Sequence, residues 1–292
     1  MNIDANTKCY TFKHIEFESG ILDKTVDCTY VIHLENNGRL THIYDEINKT
    51  KPTRNVFIVF NKGFKKCEKQ LIEQASYQDL TDAFLQCFKH AKENGYKNIL
   101  ILEDDFIFNE EIKQKSHIEN IHHFLESNKN TEFVYHLGLI PIIAYPYGDF
   151  YNYRSIKSLT MHSAIYSEKC IANFRKLKLE YKHWDTIIEK SVKNRFFYYK
   201  PLCYQTFPET ENKKSWHEKD GNLYFTKIKH GIIHSLNLND KPEPGFSILY
   251  LFSNFLFFLF LILFFSIFYS LYSFIFSKKG KSFLYFSRST KK

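Results

Sequence analysis

Apolar and polar positions alternate along this chain with two periods, and their order predicts a series of strands and helices. Thr29–Leu34 is a short run rich in β-formers, and Leu40, Ile43, Tyr44 and Ile47 follow at the spacing of one helix face. Asn55–Phe60 is a second strand-like run. Leu80, Ala83, Phe84, Cys87, Phe88 and Ala91 then keep helical spacing through three turns. Ser76 with Asp79 three residues on predicts a capping-box start for that helix, and Gly95 predicts its stop. Asn98–Leu102 is apolar at consecutive positions, as a central parallel strand covered on both faces requires. Strand, helix, strand, helix, strand predicts an α/β fold: a doubly wound, mainly parallel sheet with flanking helices and right-handed crossovers.

The pattern changes completely at Phe246–Phe276, which holds no Asp, Glu, Lys, Arg or His. Roughly 20 helical residues cross a bilayer's hydrocarbon core, so this stretch predicts one transmembrane helix with length to spare. Tyr250, Tyr269 and Tyr272 suit the interfaces. The Pro/Gly segment 241–245 divides it from the domain at 29–240. Residues 1–28 read as an N-terminal extension, and 277–292 as a basic tail.

That tail alters the meaning of the formal charge of +8. Removing its six basic residues (Lys278, Lys279, Lys281, Arg288, Lys291, Lys292) leaves +2 for all the rest. So weak an excess is no footprint for nucleic acid, whereas a juxtamembrane basic cluster suits an anionic membrane surface. The positive-inside tendency would place the tail in the cytoplasm. The N-terminus has no apolar signal segment, and on that ground the expectation is a cytosol-facing domain on a C-terminal anchor. Six cysteines without a CxxC pair read as reduced thiols or small core residues.

Chemistry concentrates where the third strand ends, at Glu103-Asp104-Asp105. Ligands of such sheets bind beyond the carboxyl ends of the strands. Adjacent carboxylates repel unless a cation or strong donors compensate them. In extended backbone Glu103 and Asp105 would share one side, the donor set of a Mn²⁺ or Mg²⁺ site; a solvated acidic turn would use the same residues. Phosphate-loop, dinucleotide and HExxH signatures are absent. His122-His123 falls in a helical pattern and reads as a surface pair.

The stretch Ala91–Phe108, AKENGYKNILILEDDFIF, resembles the centre of the family 25 glycosyltransferases, which include lipooligosaccharide and procollagen galactosyltransferases. Further pieces lie in the family's order: Tyr30–Glu35 with Arg39, His136-Leu137-Gly138, Met161–Ser167, Trp184-Asp185, then Pro201, Gln205 and Ser215. The similarity covers about Tyr30–Trp216, and only the LEDD core is sharp. The family's usual G-x-x-x-C-x-x-S-H helix is degraded to Thr81–His90, which leaves an inactive, glycosyltransferase-like binding or structural protein as the alternative. The resemblance implies a GT-A fold and an inverting transfer of a hexose, galactose-like, from a nucleoside diphosphate donor, a uridine diphosphate sugar. The acceptor would be a glycan, a lipid-linked molecule or a protein. It implies Mn²⁺ or Mg²⁺ held by Glu103, Asp104 and Asp105, and donor binding by Leu34, Glu35, Arg39 and Asp105. Asp185 is the candidate base, with helix capping as its other role. His162, Tyr147 and Gln205 are candidates for lining the acceptor side. The aromatic loop Tyr145–Tyr153 suits a sugar platform, packing on the sheet, or the membrane interface.

Overall fold

The computed structural model describes residues 1–181, 183–207, 231–238 and 241–276. Ser215, Asp240 and the basic tail lie outside the described residues. The strands are β1 (Tyr10–Glu16), β2 (Cys28–Leu34), β3 (Asn55–Asn61), β4 (Ile99–Glu103), β5 (Phe106–Phe108), β6 (Phe133–Tyr147), β7 (Asp149–Tyr166), β8 (Asn194–Tyr198) and β9 (Cys203–Gln205). The helices are α1 (Ile3–Asn6), α2 (Leu40–Thr50), α3 (Ser76–Glu93), α4 (Lys115–Asn128), α5 (Glu168–Ala172), α6 (Trp184–Ser191) and α7 (Gly245–Phe276).

Seven strands form one sheet in the order β1-β3-β2-β4-β7-β6-β8. β2, β3 and β4 are parallel, β6 and β8 run the same way, and β1 and β7 run against them. The three strands and two crossovers expected at the start of the fold are therefore present. Because β3 and β4 flank β2, the two crossovers leave in opposite directions, and their helices cover opposite faces. Ile43 and Ile47 of α2 pack with Val31, Ile58 and Leu100 on one face. Phe84, Cys87 and Phe88 of α3 pack with Tyr30, Ile101 and Tyr166 on the other. The consecutive apolar run of β4 is explained by this double cover.

Four details depart from the sequence pattern. Residues 10–16 add the edge strand β1, paired antiparallel to β3, so the first 28 residues contribute to the sheet. α3 starts at Ser76 without a capping box: Ala75 is its N-cap, and Asp79 is drawn away to Lys69 and Asn61. Gly95 does end the helix, at φ +71°. Tyr145–Tyr153 is not a loop but the end of the long β6–β7 hairpin, turned at Gly148 with φ +80°. Cys9 and Cys67 are joined in a disulfide, which corrects the reading of all six as reduced; Cys28, Cys87, Cys170 and Cys203 are buried free thiols.

α7 does two jobs along its length. Phe246, Leu249, Tyr250 and Ser253 are buried against the domain, and among the described residues none after Ser253 is buried. Phe246 meets Tyr204 and Phe207, and Tyr250 meets Phe197. Residues 254–276 would extend about 34 Å as a helix, against roughly 30 Å of hydrocarbon. The surplus length noted in the sequence is thus the part that docks. A soluble core helix would be mostly covered, whereas 11% of the most apolar stretch is buried. By length and composition α7 is able to cross a membrane.

Candidate functional site

Beyond the carboxyl ends of β2 and β3 lies an open cleft of about 500 Å³, lined by His33, Glu35, Asn36, Gly38, Leu40, Thr41 and Phe60. The Asn36-Asn37-Gly38 turn shapes its wall, with Asn36 at φ +64° and Gly38 at φ +80°. This is where the sequence placed donor binding. Glu35 lines the cleft, Leu34 ends β2 beneath it, and Arg39 turns its guanidinium to Asp104.

The LEDD carboxylates separate. β4 ends at Glu103, and Asp104 and Asp105 form a turn, so strand alternation no longer orders them. The expected sharing of one side by Glu103 and Asp105 fails for that reason. Asp104 accepts hydrogen bonds from Arg39 Nη1 (2.5 Å), from Asn37 Nδ2 and from the Leu34 backbone N–H (3.4 Å). His33 Nδ1 lies 3.5 Å from it. Burial pushes the Asp104 carboxyl up, but His33, Arg39 and Asn37 together hold it below the usual range. Asp104 is therefore an ionised strut between β4 and the β2–α2 loop. His33 and Asn37 were not singled out from sequence; the turn signature at 36–38 was the available signal.

Asp105 differs. Burial first, and then the charge of Asp104, raise its carboxyl to about 7. Gln205 Nε2 donates to both its oxygens, at 3.1 and 3.3 Å, and Thr206 bonds its carbonyl. Gln205, expected on the acceptor side, thus sits on Asp105 itself. Its Oε1 is buried without a partner among the described residues.

Asp185 and Glu103 are both tied to Tyr166. Burial raises the Tyr166 phenol strongly, and the carboxylates of Asp185 and Glu103 both add to the rise, so both lie in electrostatic reach of that hydroxyl. Trp184 Nε1 donates to Tyr166 Oη at 2.9 Å, and its ring stacks on Phe84 at 4.4 Å. His183 is the N-cap of α6, so Asp185 belongs to the first turn and is not the cap.

His162 is wholly buried, with Nε2 3.2 Å from the Cys203 carbonyl. Burial lowers its pKa to about 4, so the ring is neutral. It packs where Gly138 passes: a Cβ on Gly138 would stand 1.8 Å from the Cys203 carbonyl oxygen. Tyr147 packs on Phe124, Phe196 and Arg154, not with the carboxylates. His122 and His123 sit on α4, where His122 Nδ1 bonds Thr25.

No protein family matches this chain, and no curated protein matches it. Among solved structures it is similar to apo UDP-glucose pyrophosphorylase, with 10% identity over 59% of this chain and 72% of the other, at a TM-score of 0.34. It is also similar to a glycosyltransferase involved in the glycosylation of the major capsid of PBCV-1, with 7% identity over 65% of this chain and 98% of the other, at a TM-score of 0.35.

Proposed function

We propose that the protein is a membrane-anchored, metal-dependent glycosyltransferase of GT-A type that uses a nucleoside diphosphate sugar. The observation that carries this reading is the pair Asp105–Gln205 at the carboxyl end of β4, beside the cleft after β2 and β3. A cation fits there by donor chemistry: the Asp105 carboxylate and the unpartnered Gln205 oxygen are hard ligands, and burial and the Asp104 charge outweigh the pull of Arg39 on that acid. Asp104 is spoken for by Arg39 and Asn37. Among the described residues no three His, Cys, Asp or Glu side chains form a metal cage, so a cation at Asp105 would rely on substrate phosphates and water, as Mg²⁺ and Mn²⁺ commonly do. Bound there, Mn²⁺ or Mg²⁺ would neutralise charge on the leaving diphosphate. The donor would lie in the cleft, and Asp185 would take the acceptor proton.

Calorimetry on the full chain in detergent tests this. Mn²⁺ should tighten uridine diphosphate binding, and Asp105→Ala should remove that gain while leaving weak metal-free binding. Unchanged metal-dependent binding by the variant would move the cation elsewhere. Metal-dependent binding without donor hydrolysis or transfer by the wild type would favour the inactive alternative.

Two features bear on membrane orientation. A disulfide persists in an oxidising compartment, and the basic residues after α7 favour the cytoplasm. We therefore place the domain on the oxidising side with the tail inside, against the expectation drawn from the N-terminus. Sealed cells expressing the full chain should lose the domain to external or lumenal protease while an epitope after Lys292 survives. Survival of the domain with loss of the epitope would reverse the orientation. Extraction of the whole protein by carbonate would end the anchor.

A further inference from the structure

α7 leaves the domain along the β6–β7 hairpin. Tyr250 packs in one cluster with Ala144 and Tyr153, which belong to the two strands of that hairpin, and with Leu139 and Phe197. The outer part of the same hairpin carries large apolar side chains in the open: Phe150 is 72% exposed, Ile143 53%, Ile156 51% and Tyr151 49%. A hairpin end serving only as structure would turn polar residues outward. Scattered single apolar residues are ordinary on a surface, but here four lie on the one hairpin against which the uncovered apolar helix leaves the domain, with Phe150 and Tyr151 beside its turn.

Distances match as well. The uncovered part of α7 starts at Asn254, four residues or about 6 Å of helix beyond Tyr250. Phe150 is three residues from Tyr153, about 10 Å of extended chain. The hairpin end therefore has the reach to touch the layer that α7 enters. Its exposed aromatics, Phe150 and Tyr151, are of the type that settles at the boundary of headgroups and acyl chains.

We infer that the end of the β6–β7 hairpin is a second membrane contact, with Phe150, Tyr151, Ile143 and Ile156 seated in the interfacial layer of the bilayer. The inference rests on the reading of α7 as a membrane span. Its consequence is mechanical. A lone helix lets a domain swivel about one axis, whereas helix and hairpin together hold the sheet, and with it the cleft after β2, at one attitude to the lipid surface.

Spin labelling in lipid nanodiscs tests this with the full chain. The free thiols are buried and Cys9 is bonded to Cys67, so an introduced cysteine takes the label. Three variants are compared: Phe150→Cys on the hairpin, Phe260→Cys in the span, and Lys115→Cys on α4, where the side chain is 88% exposed. Labels at 150 and 260 should both be reached better by oxygen than by a water-soluble nickel chelate, with the preference greater at 260. The label at 115 should show the reverse. A label at 150 as open to nickel as that at 115, with 260 still shielded, would overturn the hairpin contact and leave the span intact. Nickel access at 260 would overturn the span, and the inference with it.

Discussion

Removing the Lys69 ammonium is expected to destabilise the protein by about 3–5 kcal/mol, the usual cost of stranding buried charge. Lys69 has no exposed side-chain surface, yet it is ringed by polar atoms. Its Nζ donates to Asp79 Oδ1 at 2.5 Å, Asn61 Oδ1 at 2.6 Å and Tyr10 Oη at 2.7 Å. Tyr10 in turn donates to Asp82 Oδ2 at 2.8 Å, and Asn61 Nδ2 donates to Asp79 Oδ2. One cation thus serves two buried carboxyl groups, and ties β1, β3 and α3 to the segment that Cys67 staples to Cys9. Burial pushes the Lys69 pKa down and the Asp82 pKa up, so each group depends on the network to stay charged. In Lys69→Met the methylene stem is replaced but the acids lose their cation. Chemical unfolding of the full chain in non-ionic detergent should show the loss. The double variant Lys69→Met/Asp79→Leu should recover a large part of it, because the partners are then removed together. A loss under about 1 kcal/mol in the single variant would mean that the acids are neutral without Lys69.

Asp185→Asn should lower sugar transfer by roughly 10²–10⁴-fold, the scale of general base catalysis, while donor and metal binding stay unchanged. The position is rigidly set. Trp184 is pinned by the Phe84 stack and the Tyr166 hydrogen bond, which fixes the first turn of α6. Asp185 on α6 and Glu103 on β4 both lie in electrostatic reach of the Tyr166 hydroxyl. The structural role of the residue is modest, because His183 occupies the N-cap; a first-turn carboxylate contributes about 0.3–1 kcal/mol through the helix dipole. Asparagine keeps size and shape, so the variant should fold. Turnover within twofold of wild type in an active preparation would remove Asp185 from the mechanism, and Glu103 would be tested next.

Local pattern determined a definite part of this protein. The runs at 29–34, 55–60 and 98–102 became β2, β3 and β4, and the helical spacings between them became α2 and α3. Those assignments rest on periodicity, which is written in neighbouring residues. The uncharged run became α7 for the same reason, and its excess over a bilayer's thickness follows from the number of its residues alone. The family resemblance draws notice to Leu34, Glu35 and Arg39 after β2, and a cleft does open there, lined by Glu35.

Tertiary structure decided what the charged and polar residues do. Asp104 and Asp105 are adjacent in sequence and chemically identical, but one meets Arg39 and Asn37 while the other meets Gln205 and burial. Asp79 looked like a helix cap and became the partner of Lys69. Cys9 and Cys67, 58 residues apart, became a pair only because β1 lies on β3 beside the segment after it. The length of α7 divided into docked and bare parts only once Tyr204, Phe207 and Phe197 were in place to receive it. Periodicity is a property of adjacent residues, so it survives in the sequence. The partner of a charge or a thiol is set by which strands and loops come side by side, and the chain's order does not contain that until it folds.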